Sequence, residues 1–152
     1  MSRERQELLS RSALGVFRLN GQFLGVAEEL AKPAGLTAAW WQVLGAVLGE
    51  PLSVAGIARA MGITRQSVQR IADLLVGRGL AEYRPNPAHR RAKLLAPTEE
   101  GRAAIARINP GHAAFADRLA EEFGQDELAE AVHLLERLSK VLEQVTPAVT
   151  EP

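Results

Sequence analysis

The chain has 152 residues, 47% of them hydrophobic, with 18 Lys+Arg balanced by 18 Asp+Glu. That length suits one compact unit with helical extensions and is too short for two independent cores of ordinary size. The absence of cysteine excludes disulfides, thiolate metal sites and thiol redox sensing. No apolar run approaches the roughly 18 residues of a membrane span, and the charged opening MSRERQELLSR has no apolar core behind it, so a cytoplasmic protein is expected.

The first predicted helix runs from Glu4 to about Leu30 and carries Leu8, Leu9, Leu14, Phe17, Phe23, Leu24, Val26 and Leu30 on more than one face. Gly15, Gly21 and Gly25 each lower its propensity by about 1 kcal/mol relative to Ala, so packing against something else must hold it. Lys32, Pro33, Ala34 and Gly35 break it. Thr37 then stands as N-cap of a helix through Leu48, with Trp41, Leu44 and Leu48 on one side, and Gly49, Glu50 and Pro51 end it. The adjacent Trp40 and Trp41 point about 100 degrees apart on a helix. Trp41 is assigned to the core, and Trp40 to a neighbouring element or a cavity.

Two short helices follow. Val54, Ile57, Ala58 and Met61 share a face between Ser53, an N-cap, and Gly62, a stop. Thr64 caps the second, whose buried face is predicted as Val68, Ile71, Ala72 and Leu75 while Gln66, Gln69, Arg70 and Asp73 point away. Ile63 lies in the connection and is expected to plug the angle between them. Two helices joined this closely, the second showing amide and guanidinium groups, make the pattern of a helix-turn-helix.

Gly77 and Gly79 close the second helix. Strand patterns at Leu80 to Arg84 and Ala92 to Leu95 flank Asn86, Pro87, Ala88, His89, Arg90 and Arg91, which reads as a β-hairpin wing with adjacent arginines at its tip. Thr98 caps the next helix above an acidic first turn, Glu99 and Glu100, which suits the positive end of the helix dipole. Its stripe of Ala104, Ile105, Ile108, Phe115, Leu119 and Phe123 is interrupted by Pro110 and Gly111, so a kink or break is expected near Ala106 to Pro110. A last helix from Gln125 and Asp126 places Leu128, Ala131, Val132, Leu135, Leu138, Leu142 and Val145 at alternating threes and fours, and the tail TPAVTEP is expected to fray.

The zero net charge hides an asymmetry. Residues 52 to 95 hold eight Lys+Arg (Arg59, Arg65, Arg70, Arg78, Arg84, Arg90, Arg91, Lys93) against Asp73 and Glu82, a net plus six, which leaves minus six for the remainder. A basic segment in an acidic frame concentrates positive potential on one face.

The run LT(x)4QVL at Leu36 to Leu44, then GITRQSVQRIADLLVGRGL, RPNPAHRRAKL and the T(xx)G of Thr98 to Gly101, resembles the MarR family of winged-helix transcription regulators. The resemblance implies a mainly α fold with a small β-hairpin wing: a DNA-binding domain at 36–98, an N-terminal dimerisation helix at 1–35, C-terminal dimerisation helices at 99–146 and a frayed tail at 147–152. It implies a homodimeric regulator, usually a repressor, on double-stranded DNA with a pseudo-palindromic operator. It also implies a pocket for a small lipophilic or phenolic effector, placed here among Phe17, Trp40, Trp41 and His112. The chain departs from the family in having Ala88 and His89 where an aspartate usually ties down the paired arginines, and Pro97 where leucine usually precedes the threonine.

Thr64, Arg65, Gln66, Ser67, Gln69 and Arg70 lie in the first two turns of the second short helix, where a helix end enters the major groove, Arg pairing with guanine and Gln with adenine. His89, Arg90, Arg91 and Lys93 are the wing contacts. His89, His112 and His133 are dispersed, with no paired carboxylate and no glycine-rich phosphate loop beside them. No enzyme, metal site or cofactor is therefore expected. The competing function is a winged-helix module that binds protein without specific DNA contact. For the apolar terminal helices the alternative to dimerisation is a cap folded back on its own domain, and periodicity alone does not choose between them.

Overall fold

Each helix start that the sequence marks with a hydroxyl is closed by that hydroxyl in the computed structural model, which describes residues 2–146. Thr37, Ser53 and Thr64 accept from the backbone N–H groups of Trp40, Gly56 and Ser67, each at 3.1 Å, and Thr98 accepts from Gly101 N–H at 3.1 Å. Helix α1 spans Ser2–Ala31 and ends in a single 3-10 turn, Lys32–Ala34. Then follow α2 (Ala38–Ala46), β1 (Leu52–Ser53), α3 (Val54–Met61), α4 (Arg65–Gly77), β2 (Ala81–Arg84), β3 (Leu94–Pro97), α5 (Glu99–Phe123) and α6 (Gln125–Val145). The expected frayed tail lies outside the described residues.

The chain forms two compact units, Met1–Pro110 and Gly111–Pro152. In the first, α2 packs on α1, α3 and α4, and the core is built from Val43, Leu44, Val47, Ile57, Val68, Leu75, Leu95 and Ile108, all fully buried. The predicted inner face of α4 is borne out in full, since Val68, Ile71, Ala72 and Leu75 are its buried residues. Gly62 and Gly79 adopt the left-handed conformation that stops α3 and α4, at φ 68° and 74°. After α4, Leu80 N–H donates to Leu75 O and Gly79 N–H to Val76 O, both at 3.0 Å, which turns the chain directly into β2.

The hairpin supplies two strands of a three-stranded antiparallel sheet in the order β1-β3-β2, with β3 at its centre. The third member, β1, pairs Leu52 with Leu95 and Ser53 with Leu94; at two residues it is too short for any alternation to announce it. The hairpin strands are also displaced from the expected bounds. The second begins at Leu94, not Ala92, and runs on to Pro97, which pairs with Ala81. Pro97 is tolerated because β1 reaches only as far as Leu95, so one side of β3 asks for no donor there.

Two further expectations are corrected and a third is narrowed. The tryptophan helix ends at Ala46, two residues short of Leu48, and Val43 within it and Val47 just beyond its end are fully buried, although the sequence reading passed over both. Ile63 does not plug the inter-helix angle: it is 39% exposed, because the Gly62 stop sends its side chain outward while Ile57 and Ala58 fill the space. Of the kink or break expected near Ala106 to Pro110, the break does not occur: helix α5 continues through Pro110. A proline removes one hydrogen bond, and the buried Ala104, Ile105 and Ile108 on the preceding turns hold the helical path up to it.

Thr98 and Gly101 form a lock between α5 and the end of α4. Thr98 Oγ1 donates to Gly79 O at 2.7 Å and Thr98 N–H donates to Leu80 O at 3.1 Å. A Cβ on Gly101 would sit 2.0 Å from that same Leu80 oxygen. The T(xx)G spacing therefore has a physical cause, a capping hydroxyl and a bare Cα pressed on one backbone segment.

The second unit comprises the C-terminal stretch of α5 and all of α6. Gly124, at φ 101°, makes the turn between the two helices, its N–H donating to Ala120 O at 2.9 Å. No residue of α6 is buried within the chain. No helix among the described residues is long and apolar enough to cross a membrane.

Candidate nucleic-acid interface

The exposed face of α4 and the base of the wing enclose a cleft of about 540 Å³ lined by Ser53, Val54, Ala55, Arg65, Gln66, Gln69, Tyr83, Arg91, Ala92 and Lys93. Its charged groups are all cationic. Arg65 comes from the first turn of α4, and Arg91 and Lys93 from the loop that enters β3. On the other flank of α4, Gln66, Ser67, Gln69, Arg70 and Asp73 line a shallower depression of about 610 Å³. Gln66 and Gln69 thus stand on the crest between two concavities.

The six residues singled out on α4 divide by task. Thr64 and Ser67 serve the cap: Thr64 Oγ1 accepts from Ser67 N–H and donates to Ser67 Oγ at 2.9 Å. Arg65, Gln66 and Arg70 are exposed. Gln69 is exposed too, but its amide is engaged. Gln69 Nε2 donates to Asp73 Oδ1 and to Tyr83 Oη, both at 3.0 Å, and Tyr83 Oη donates to Asp73 Oδ1 at 2.5 Å. Tyr83 belongs to β2, so this triangle ties the second turn of α4 to the wing.

Burial and the hydrogen bond to the Asp73 carboxylate push the Tyr83 hydroxyl up to about 12; the bond from Gln69 acts the other way. Tyr83 thus stays a neutral donor at physiological pH. Lys93 Nζ lies 5.9 Å from the centre of the Tyr83 ring, near enough for a weak cation–π attraction that leans it toward the cleft. Neither Tyr83 nor Asp73 was found as a site residue from sequence. A polar aromatic on an otherwise alternating strand is the one signal that marks Tyr83.

In the wing, His89, Arg90, Arg91 and Lys93 are all exposed. Arg91 and Lys93 reach the cleft, whereas His89 and Arg90 do not line it. The loop is shaped by Asn86, whose Oδ1 accepts from Ala88 N–H at 3.0 Å and whose carbonyl accepts from His89 N–H at 3.2 Å. This side-chain turn supplies a local brace where the resemblance leads one to look for an aspartate. Of the remaining basic residues, Arg84 is spent on an exposed ion pair with Glu82 at 2.9 Å.

The expected effector residues lie on three helices. Trp40 and Trp41 are half-buried on α2 and pack against the core, and the Arg78 guanidinium lies 5.3 Å from the centre of the Trp40 ring. Phe17 is 70% exposed on α1 and does not join that core. His112 is an exposed residue of α5 in the second unit. Among the described residues no three His, Asp or Glu side chains are grouped to hold a metal ion.

A family model described as MarR family matches residues 34–92. An uncharacterised protein of Mycobacterium tuberculosis is 42% identical over 113 residues, which cover 74% of this chain and 79% of that protein. An uncharacterised protein of Mycobacterium bovis matches with the same identity and coverage. Among solved structures, a MarR-family transcription regulator superposes with a TM-score of 0.74 at 22% identity, covering 93% of this chain and 95% of its own. A mutant MarR from E. coli, complexed with operator DNA, gives 0.74 at 22% identity over 87% and 95% of the two chains. The transcriptional repressor CouR, bound to a 23-mer DNA duplex, gives 0.73 at 29% identity over 82% and 89%.

Proposed function

The chain belongs to the MarR family of transcription regulators, and from that premise we propose that it is a cytoplasmic, sequence-specific repressor that binds a pseudo-palindromic operator as a homodimer. The observation that carries the proposal is the convergence of Arg65 and Gln66 from α4 with Arg91 and Lys93 from the wing around one cleft. Guanidinium and amide groups at a helix end suit base edges in the major groove, and the wing cations suit phosphate. The DNA-bound states of the E. coli MarR mutant and of CouR support the same reading.

In this reading residues 36–98 touch DNA, and the helices at 1–35 and 99–146 bring two copies together. Leu8, Leu9, Leu14 and Phe17 on α1, and Leu134, Leu135 and Val145 on α6, are each more than 45% exposed. Large apolar side chains left exposed along a helix mark an interface, and a two-fold partner matches a two-fold operator. The reading includes a small lipophilic or phenolic effector reported by Trp40 and Trp41. Quenching of tryptophan fluorescence by a phenolic acid, with operator affinity falling by the factor that linkage requires, supports that part; quenching with no change in affinity removes its regulatory role.

The test is a salt titration of binding to duplex DNA. The wild-type protein is expected to lose affinity linearly on a log–log scale as salt rises, and Arg91→Ala to flatten the slope by about one for each phosphate it leaves without its cation. Binding that ignores salt, or a slope that Arg91→Ala leaves unchanged, counts against the interface and in favour of a protein-binding module.

A further inference from the structure

We propose that Tyr83 determines which base Gln69 reads, by holding the Gln69 amide with its nitrogen turned inward so that the carbonyl is the end offered to the major groove. The inference rests on the reading of α4 as the DNA-reading helix and adds a selectivity rule to it.

The orientation of the amide is fixed by chemistry. A carboxylate only accepts hydrogen bonds, so the group that Gln69 presents to Asp73 must be its nitrogen. The Tyr83 hydroxyl donates its one proton to the same carboxylate oxygen and is left as an acceptor, which Gln69 Nε2 also fills. Turning the amide over would set its oxygen against the Asp73 carboxylate and forfeit both bonds. An exposed Gln–Asp pair one helical turn apart is weak alone and exchanges with water. Tyr83 makes it persistent, because its half-buried ring packs against the hydrophobic core and it arrives from a different element, β2.

A freely turning glutamine pairs with adenine through both ends of its amide, accepting from N6 and donating to N7. With the nitrogen held by Asp73 and Tyr83, acceptance is what remains. Adenine N6 and cytosine N4 are donors in the major groove, whereas guanine O6 and thymine O4 are acceptors. Gln69 is therefore a reader of exocyclic amino groups, favouring adenine or cytosine and disfavouring guanine or thymine, and the Tyr83 hydroxyl is the positioning group behind that preference.

The experiment is selection from a random-sequence duplex pool by the full chain and by Gln69→Ala, Tyr83→Phe and Asp73→Asn. Gln69→Ala identifies the position, which is the one whose preference it erases. At that position the wild type is expected to enrich adenine and cytosine together. Tyr83→Phe keeps the ring and hence the packing, and is expected to favour adenine over cytosine several-fold as the second end of the amide comes into use. Asp73→Asn, an exposed change that lets the amide turn over, should give the same shift. A cooperative melt well above the assay temperature and an unchanged helical circular-dichroism spectrum for both variants separate this effect from loss of structure. Guanine or thymine enriched by the wild type at the Gln69 position, or the same base distribution in both variants as in the wild type, overturns the inference while leaving DNA reading by α4 intact. If none of the four proteins selects any sequence, the reading of α4 fails and takes the inference with it.

Discussion

Helices α4 and α6 carry nearly the same pattern and meet different fates. Both place apolar residues three and four apart along one face. On α4 that face, Val68, Ile71, Ala72 and Leu75, disappears into the core beneath the sheet. On α6 the corresponding Val132, Leu135, Leu138 and Leu142 stay 40–46% exposed, and nothing in the chain buries them. Periodicity states that a face needs cover and is silent on what supplies it. The difference lies in what adjoins each helix: α4 is entered and left through tight caps and glycine stops that fold its neighbours back onto it, whereas α6 follows a single turn at Gly124. The apolar face that the chain leaves open is the one we assign to a second copy.

The largest expected effect therefore falls on α6. Leu135→Asp combined with Leu138→Asp should convert a dimer into monomers, a loss on the order of 8 kcal/mol for micromolar association, while leaving the first unit folded. Sedimentation is the measurement, and a stable dimer surviving both substitutions would place the interface elsewhere. The matching substitution on α4, Leu75→Ala, should cost about 2–5 kcal/mol by opening a cavity in the core. Because that loss arises inside one chain, denaturant unfolding should show it without any added dependence on protein concentration. A Leu75→Ala penalty below about 1 kcal/mol would mean that the α4 core collapses around the cavity.

A smaller effect tests the caps that set α4 apart. Thr64→Ala removes the acceptor for Ser67 N–H and should lower stability by about 1 kcal/mol, with Thr64→Asn largely restoring it. The smallest concerns the tie between α4 and the wing. Because the Tyr83 hydroxyl is raised from its ordinary 10.0 to about 12, the folded state keeps a proton that the unfolded state gives up. Stability from this group is complete below about pH 10 and is lost as pH rises toward 12. Tyr83 is the sole tyrosine of the chain, so phenolate absorbance follows it directly, and Tyr83→Phe should flatten the alkaline limb of the stability curve. An absorbance midpoint near 10 in the folded protein would show that the triangle does not persist in solution.

What the sequence disclosed and what it withheld follow the same division. Ser53, Thr64, Gly62 and Gly79 act within a few residues of themselves, so the bounds of α3 and α4 were legible, as was the inner face of α4. The strand β1 was hidden because two residues have no period, and its partner Leu95 lies more than forty positions away. The bond from Ala38 N–H to Glu28 Oε1, which pins the start of α2 to α1, was hidden for the same reason, as an ordinary glutamate on a long helix bears no mark of its partner. Gln69 is the sharpest case. Its residue type suggested adenine, but what its amide can offer is decided by Tyr83, fourteen positions on and across a turn. Ile63 was misjudged in the opposite sense, because a local rule was given more authority than the glycine stop that overrode it.

The central claim, that two copies present α4 symmetrically to DNA, is tested most directly by footprinting the full chain on duplexes it has selected. Two protected half-sites related by two-fold symmetry, with centres about 10 base pairs apart or a multiple of that, are expected. Protection confined to one asymmetric half-turn would contradict it.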